Sequence, residues 1–256
     1  MKRQIIDSSN VNFNENFEII YFDKRNMAGV AMQLIATAIA TFRQCNIIKE
    51  LKYLNENINK RLEDLDIKKI ANIAFQEPID NVRIVMCFEN YMKAVLLSKG
   101  YIVHEVDRNL ETLLPISKKI KNKEPILFSE FLTYEKFYFE KNKACKIKGI
   151  SKNTISFSVL LSDKYQSIIL LPSNLKIILS KINEERNHLH FQTNFNLKNN
   201  KQKINDINTI IDFVNEMHKV SDSIILENNL PMEHLQNKFY KEIMTQKPIS
   251  FISKLG

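Results

Sequence analysis

Four residues able to act on a phosphodiester lie close together near the end of one predicted helix. The stretch 173–191 reads SNLKIILSKINEERNHLHF and carries Arg186, Asn187, His188 and His190. An α-helix turns by about 100° per residue, so Arg186 and His190 lie about 40° apart on one face, while His188 lies about 200° from Arg186. A guanidinium and an imidazole on a shared face can bind and cleave a phosphodiester.

The residues before this group predict the helix that carries them. Ser173 follows a proline and is a good N-cap, since its hydroxyl can accept a hydrogen bond from an unpaired amide. An apolar face follows at helical spacing, formed by Leu175, Ile178, Ile182 and Leu189. An alternative stays open, because cations in a last turn also suit the helix dipole without any catalytic use.

The overall composition favours long helices and an anionic partner. The chain has 256 residues, of which 44% are hydrophobic, with only four Gly and six Pro. Enough apolar surface is present for a sizeable core, and the scarcity of breakers argues against a turn-rich β fold. A formal net charge of +8 favours anionic partners, with nucleic acid ahead of a merely basic surface.

Two clusters of lysines are candidates for contacts with RNA. The first contains Lys118, Lys119 and Lys121, and the second contains Lys143 and Lys146. Basic clusters of this kind are more often solvated loops, but two on one chain strengthen the electrostatic argument.

Periodicity predicts an all-α fold of long helices, with room for one short strand or hairpin. The central helix is predicted at 79–99, where the apolar surface is nearly continuous. Other helices are predicted at 28–62, 66–75 (ended by Pro78), 104–121, 129–141, 207–228 and 230–246. Residues 154–171 fit either a hairpin or a short helix, and the helical surroundings favour the helix. Residues 1–16 are expected to form a flexible tail, and 17–256 a single domain.

Cysteine usage and hydropathy predict a cytoplasmic protein that needs no metal or cofactor. Cys45, Cys87 and Cys145 are odd in number and far apart, and no cluster with histidine has the spacing of a zinc site. The most apolar segment, 27–42, is too short to span a bilayer comfortably and contains polar residues, so we interpret it as a buried helix.

Two motifs in this order resemble the HEPN superfamily of helical domains. The central helix contains CFENYMKAVLLSKGY, in which Glu89, Lys93, Ala94 and Gly100 match the first motif. The later EERNHLHF matches the second motif through its Arg-Asn pair, with His190 as the candidate histidine and a shorter Arg-to-His spacing than the family pattern. The resemblance spans roughly 28–217.

This resemblance implies a HEPN-like bundle and a metal-independent endoribonuclease of a toxin–antitoxin or phage-defence system. It implies that Arg186 steadies the phosphate, that His190 transfers protons and that Asn187 orients either group. Supporting roles fall to His188, Glu89 and Lys93. It also implies a homodimer with a composite site, RNA as substrate, and an antitoxin or defence-complex partner. The alternative is a non-catalytic HEPN-like module that binds nucleic acid or a protein partner, which the short Arg-to-His spacing favours.

Overall fold

Helices dominate the computed structural model of this chain. The structure describes residues 20–21, 23–57, 66–106, 116–131, 137–139, 145–147, 149–187, 200–228, 230 and 238–252. The longer helices are α1 (Lys24–Arg43), α2 (Ile47–Glu56), α3 (Ile67–Ser98), α8 (Ser173–Asn187) and α9 (Asn200–Asn228). The shorter ones are α4 (Ile116–Lys121), α5 (Phe128–Phe131), α6 (Phe157–Leu160), α7 (Asp163–Ile169) and α10 (Lys238–Met244). The strands are β1 (His104–Val106), β2 (Phe137–Phe139), β3 (Cys145–Ile147) and β4 (Ile150–Thr154). The predicted all-α character is confirmed.

The central element is α3, as predicted. Every residue from Tyr91 to Leu97 is buried, and α3 contacts α1, α2, α6, α7, α8 and α9. The prediction that Pro78 ends a separate helix is wrong, because α3 continues through it. Proline inside a helix removes one hydrogen bond and costs about 3 kcal/mol. Burial of the apolar face that follows offsets this cost.

Small side chains allow α1 to lie close against α3. Ala28, Ala31 and Ala38 are fully buried on α1, next to larger residues such as Ile35 and Phe42. The first turn of α1 is capped by the carboxylate of Asp23, which accepts a hydrogen bond of 2.7 Å from the amide of Asn26. The α1–α3 pair forms the centre of the core.

A buried carboxylate explains why the predicted helix 28–62 breaks into α1 and α2. Asp80 of α3 is fully buried and accepts a hydrogen bond of 2.6 Å from the amide of Ile47, the first residue of α2. Arg83 donates to Asp80 Oδ1 and to the carbonyl of Gln44, each at 2.9 Å. Side chains of α3 therefore fix the turn at 44–46. The local sequence does not predict this turn, because these side chains lie more than thirty residues away. Residues 58–62 lie outside the described part of the chain.

Short antiparallel strand pairs flank the helices, and they correct two predictions. β1 pairs with β4, and β2 pairs with β3. Residues 104–106 and 137–139 are thus strands, although helices were predicted at 104–121 and 129–141. The hydrogen-bonding partners of β1 lie more than forty residues away, so local periodicity carries no sign of them. In 154–171, Thr154 ends β4, and the favoured helical interpretation is confirmed from Phe157 onward by α6 and α7.

Two asparagines of α9 hold the segment 249–252 against the helices. Asn208 donates to the carbonyl of Ile252 at 3.0 Å and accepts from its amide at 2.9 Å. Asn215 makes the same pair of bonds with Ile249, at 3.0 and 2.8 Å. Arg43 of α1 donates to the carbonyl of Lys247 at 2.7 Å. The segment thus joins α1 to α9.

An acidic cluster at the junction of α2, α3 and α9 contains a glutamate, Glu50, whose pKa is raised. Burial, followed by the charges of Asp80 and Glu77, raises the pKa of Glu50 from 4.5 to about 7, while Lys203 lowers it. Glu50 Oε2 is buried and accepts no hydrogen bond in the described structure. Lys203 forms an ion pair with Glu77. Above neutral pH, an ionised Glu50 therefore opposes folding.

We predict that Glu50→Gln stabilises the protein at pH 8 but not at pH 5. The folded-state pKa of Glu50 is raised, so wild-type stability increases as pH falls from about 7 towards 4.5, where the folded form alone is protonated. Discounted for partial exposure, the gain at pH 8 is about 1 kcal/mol. Urea unfolding at both pH values measures it, with Glu56→Gln, exposed on the same helix, as control. A gain equal at both pH values would contradict the prediction.

Candidate functional site

Arg186 lies in the last turn of α8, on a helix that is firmly packed up to this point. Leu175 and Leu179 are fully buried and Ile182 is 7% exposed, as the predicted apolar face requires. Arg186 itself is partly exposed and suits the negative end of the helix dipole. The side chain of Asn187, together with His188 and His190, lies outside the described residues. The shared face of Arg186 and His190 therefore stays a prediction.

A contact with the central helix fixes the end of α8. Asn81 of α3, which is buried, donates a hydrogen bond of 3.3 Å to Glu185 Oε2, next to Arg186. At the other end, Lys176 forms an ion pair of 2.5 Å with Asp163 of α7. Since α7 contacts α3 near Met92, α8 runs antiparallel to α3. Arg186 is thus held beside the first half of α3.

Glu89 and Lys93, expected to support the site, form an ion pair that lies away from Arg186. They are eight and twelve residues beyond Asn81, about 12 and 18 Å along α3 at 1.5 Å per residue. Lys93 is only 7% exposed. It donates to Glu89 and, at 2.7 Å, to Thr154 Oγ1 of β4. The pair anchors β4 to α3.

The first lysine cluster lies near the opposite end of α8 from Arg186. Lys118 and Lys121 are exposed on α4, and Lys119 forms an ion pair of 2.7 Å with Glu130. The turn after α4 is joined to α7 by Lys164, which donates to the carbonyl of Asn122 at 2.6 Å. Arg186 is ten residues beyond Lys176, about 15 Å along α8. These lysines and Arg186 therefore occupy separate regions.

The second lysine cluster cannot be placed in full. Lys146 is part of β3, where its Cα pairs with that of Tyr138. Its side chain and the whole of Lys143 lie outside the described residues.

A cleft of about 610 Å³ opens between α4, the β1–β4 pair and α6. We call it the His104 cleft. Its apolar wall includes Ile102, Ile126, Ile155 and Val159, and its polar lining includes His104, Glu105, Lys123, Glu124, Ser151 and Ser156. Its size is in the range of sites for small molecules. Sequence analysis did not predict this cleft, because its walls come from segments far apart in the chain.

A fully buried tyrosine orients His104 in this cleft. The hydroxyl of Tyr21 lies 2.6 Å from His104 Nδ1 and accepts a hydrogen bond of 3.0 Å from the amide of Val103. The buried phenol keeps its proton, because burial raises its pKa. It can donate that proton to Nδ1, so the imidazole proton is assigned to Nε2. Tyr21 also stacks on Phe128 at 5.1 Å between ring centroids.

Burial and a nearby cation keep His104 neutral. Burial is the larger cause and the charge of Lys93 the smaller one, and together they lower the pKa of His104 from 6.5 to about 4. A neutral histidine with a fixed tautomer is a directional hydrogen-bond donor rather than a cation. Sequence reasoning placed His104 in a helix and gave it no role. The residues around it, Ile102 to Val106, do not alternate between apolar and polar, so the local pattern does not indicate a strand.

The described residues offer neither a metal centre nor a membrane segment. Within them, no group of three or more His, Cys, Asp or Glu side chains is placed to hold a metal ion. No helix in the described part of the chain is long and apolar enough to cross a bilayer. The described cysteines, Cys45 and Cys87, are both buried.

We predict that His104 makes the fold sensitive to acid. Its folded-state pKa is lowered, so the unfolded chain takes up a proton first and stability falls as pH drops from about 6.5 to 4. The loss from this side chain is about 2 kcal/mol. Urea unfolding of wild type and His104→Gln from pH 7 to pH 4.5 should show a shallower decline in the variant. His218→Gln, at an exposed position on α9, is the control. Parallel curves for wild type and His104→Gln would refute the prediction.

Comparison with known proteins identifies no family for this chain. No family model, no curated protein and no solved structure matches it. Its function is therefore inferred from its own residues and their arrangement.

Proposed function

We propose that this protein is a metal-independent endoribonuclease that acts through Arg186 and His190. The observation that carries the proposal is the position of Arg186. It is partly exposed in the last turn of α8, next to Glu185, which the buried Asn81 holds in place. A guanidinium at a fixed helix end can bind phosphate oxygens through its forked N–H groups. The two histidines that follow within four residues supply groups that titrate near neutral pH.

The proposed reaction is an attack within the RNA chain. The 2′-hydroxyl loses its proton to a histidine and its oxygen bonds to the neighbouring phosphorus. The bond from phosphorus to the 5′-oxygen breaks, and that oxygen receives a proton from a second acid. The products are a 2′,3′-cyclic phosphate and a free 5′-hydroxyl. Arg186 donates to the non-bridging oxygens, where negative charge increases in the transition state. Asn187 orients either group.

The two proton transfers favour a homodimer, because one His190 would serve as base and that of a second copy as acid. An exposed apolar face on α3 supports this part of the proposal. Phe75, Ile79 and Met86 are 71%, 45% and 49% exposed. With the partly buried Val82, they follow one face at intervals of four, three and four residues, the spacing of a helix–helix seam. We call this face the α3 stripe.

Antiparallel packing of two α3 stripes suits a composite site. The two-fold axis would cross α3 near residue 80, level with Asn81 and hence with the end of α8. Antiparallel symmetry places both α8 ends on the same side of the dimer, whereas parallel symmetry places them on opposite sides. It also keeps the exposed Lys68 at one end of the stripe away from Lys68 of the partner subunit.

The biological setting is part of the proposal. A toxin–antitoxin or phage-defence role follows from the resemblance to HEPN domains, as does an antitoxin or defence-complex partner. The net charge of +8 supports RNA as the substrate. The chief alternative is a HEPN-like module that binds nucleic acid or a protein partner without cleaving RNA.

Cleavage is tested with purified protein and total RNA in EDTA. We expect Arg186→Ala to slow cleavage by roughly 10²–10³-fold, the usual effect of removing one transition-state donor. Lys181→Ala, at an exposed position on the same helix, should leave the rate unchanged. His190→Ala should abolish cleavage and His188→Ala should retain it. Mass spectrometry of the product ends checks for a cyclic phosphate.

Several outcomes would contradict the catalytic proposal. A requirement for divalent metal would exclude the mechanism. Loss of activity in His188→Ala, with His190→Ala active, would contradict the shared face of Arg186 and His190. RNA binding without any cleavage would favour the alternative.

The dimer is tested separately. Ile79→Lys should convert a dimer to a monomer in light scattering at low micromolar concentration, because it places a charge at the centre of the α3 stripe. Leu226→Lys, at an exposed apolar position of α9, is the matched control and should stay dimeric. Circular dichroism confirms that both variants fold. A wild-type monomer, or a dimer insensitive to Ile79→Lys, would refute the α3 stripe as the interface.

A further inference from the structure

Asn208 and Asn215 of α9 hold the segment 247–252 by contacts that do not depend on its side chains. Each carboxamide donates to the carbonyl and accepts from the amide of one residue, at 2.8–3.0 Å. A carboxamide carries a donor and an acceptor side by side, so it matches the backbone of any residue except proline. We call this pair of residues the asparagine ladder, and its contacts recognise a peptide backbone as such.

The spacing of the asparagine ladder selects an extended chain. Asn208 and Asn215 are seven residues apart, about 10.5 Å along α9 at 1.5 Å per residue. Their partners, Ile252 and Ile249, are only three residues apart and run in the opposite direction. Three residues span about 10 Å when the chain is nearly fully extended. Two turns of helix therefore match three residues of an extended peptide.

The segment directs its aliphatic side chains inward at the two positions that the ladder binds. Ile252 is 2% exposed and Ile249 is partly buried, whereas Ser250 and Phe251 between them are exposed. Proteins recognise extended peptides in the same way, since backbone hydrogen bonds supply affinity and the spaced side chains supply specificity. The ladder therefore suits a peptide with aliphatic residues three positions apart.

Little burial holds the segment in place, so another peptide can displace it. Of its six residues, Ile252 is the one that is fully buried, and Lys247, Pro248, Ser250 and Phe251 are exposed. The segment forms neither helix nor strand. Segments with few buried apolar contacts open at a small cost in free energy.

The charges beside the segment indicate a ligand that differs from it at one position. Arg43 donates to the carbonyl of Lys247 at 2.7 Å, but its buried Nε has no acceptor among the described residues. A carboxylate in place of the Lys247 ammonium would supply both an acceptor and an opposite charge. Asp212, which is exposed, lies between Asn208 and Asn215 along α9, about 40° from Asn208, and disfavours an acid in the middle of the ligand.

We propose that the surface formed by Arg43, Asn208 and Asn215 binds an extended segment of a partner protein in place of 247–252. The partner segment carries an acidic residue, an aliphatic residue two positions later and a second aliphatic residue three positions after that. In the absence of the partner, the protein's own segment covers the surface and competes for it. No step of the proposed RNA cleavage uses these residues, so either proposal can fail without the other.

The test uses the full-length protein with Ile249→Asp and Ile252→Asp, whose own segment would have to bury two carboxylates in order to bind. A labelled peptide of residues 245–254, TQKPISFISK, with capped ends, is titrated by fluorescence anisotropy. We expect a Kd below about 0.1 mM for this double variant. Wild type should bind roughly tenfold more weakly, because its tethered segment competes at an effective concentration of about 1 mM.

Further substitutions identify the contacts. Asn208→Ala together with Asn215→Ala, added to the double variant, should weaken peptide binding by about tenfold or more, since four hydrogen bonds are lost. Asn205→Ala, at an exposed position of the same helix, is the matched control and should leave the affinity unchanged. A Lys247→Glu peptide should bind about threefold more tightly or better, and Arg43→Gln should remove this difference.

Three outcomes would overturn the proposal. The first is no binding of either peptide at about 1 mM to a double variant that circular dichroism shows to be folded, and the second is unchanged affinity without the asparagine ladder. Equal affinity of the two peptides would exclude the acidic residue from the ligand. The third is a wild-type dimer that the double variant abolishes and Ile79→Lys does not, because it would assign the surface to the segment of a second copy.

The wild-type protein decides the matter if the double variant does not fold. An excess of the Lys247→Glu peptide should increase the rate of hydrogen exchange in 245–252, because the Ile249 and Ile252 amides lose their bonds to the asparagines. Unchanged exchange in this segment at about 2 mM peptide would refute its displacement.

Discussion

The buried carboxylate of Asp80 is the interaction on which the arrangement of the helices depends. It holds the start of α2 through the Ile47 amide and, through Arg83, the end of α1. Burial raises its pKa, which measures the cost of keeping a charge there. Removal of a partner from a buried ion pair leaves an uncompensated charge, so the three groups form or fail together. The next residue, Asn81, holds the end of α8. Two consecutive residues of α3, Asp80 and Asn81, thus fix the turn between α1 and α2 and the position of Arg186 at the end of α8.

The division of charge along α8 constrains how an anionic polymer could lie on the protein. Lysines gather near its start, around α4 and α7, and Arg186 lies at its end, about 15 Å away. The lysines that would attract an anionic polymer and the arginine that would bind it at the helix end therefore lie on different parts of the surface. A long anion can contact both, whereas a small one occupies either alone.

Local sequence patterns predicted the helices but not the contacts between them. The core of α3, the apolar face of α8 and most of α9 follow from periodicity, because each buries a continuous stripe. The break before α2 could not be predicted, since its cause is Asp80 more than thirty residues away. β1 was mistaken for helix because β4, its partner, lies in another segment. The role of His104 depends on Tyr21, eighty-three residues earlier. Arg186 was found from its neighbours in sequence, whereas the His104 cleft exists only after folding.

The hydrogen bonds of Asn208 and Asn215 with the segment 249–252 have a consequence for folding during synthesis on the ribosome. Arg43 of the first described helix reaches the Lys247 carbonyl, across 204 residues of chain. α1 also packs against α9 and α10, so part of its apolar surface stays exposed until these two helices have been synthesised. Contacts between such distant segments form late and leave intermediates open to association. The nascent chain therefore carries this apolar helix through the synthesis of about 204 further residues before the contact with Lys247 can form.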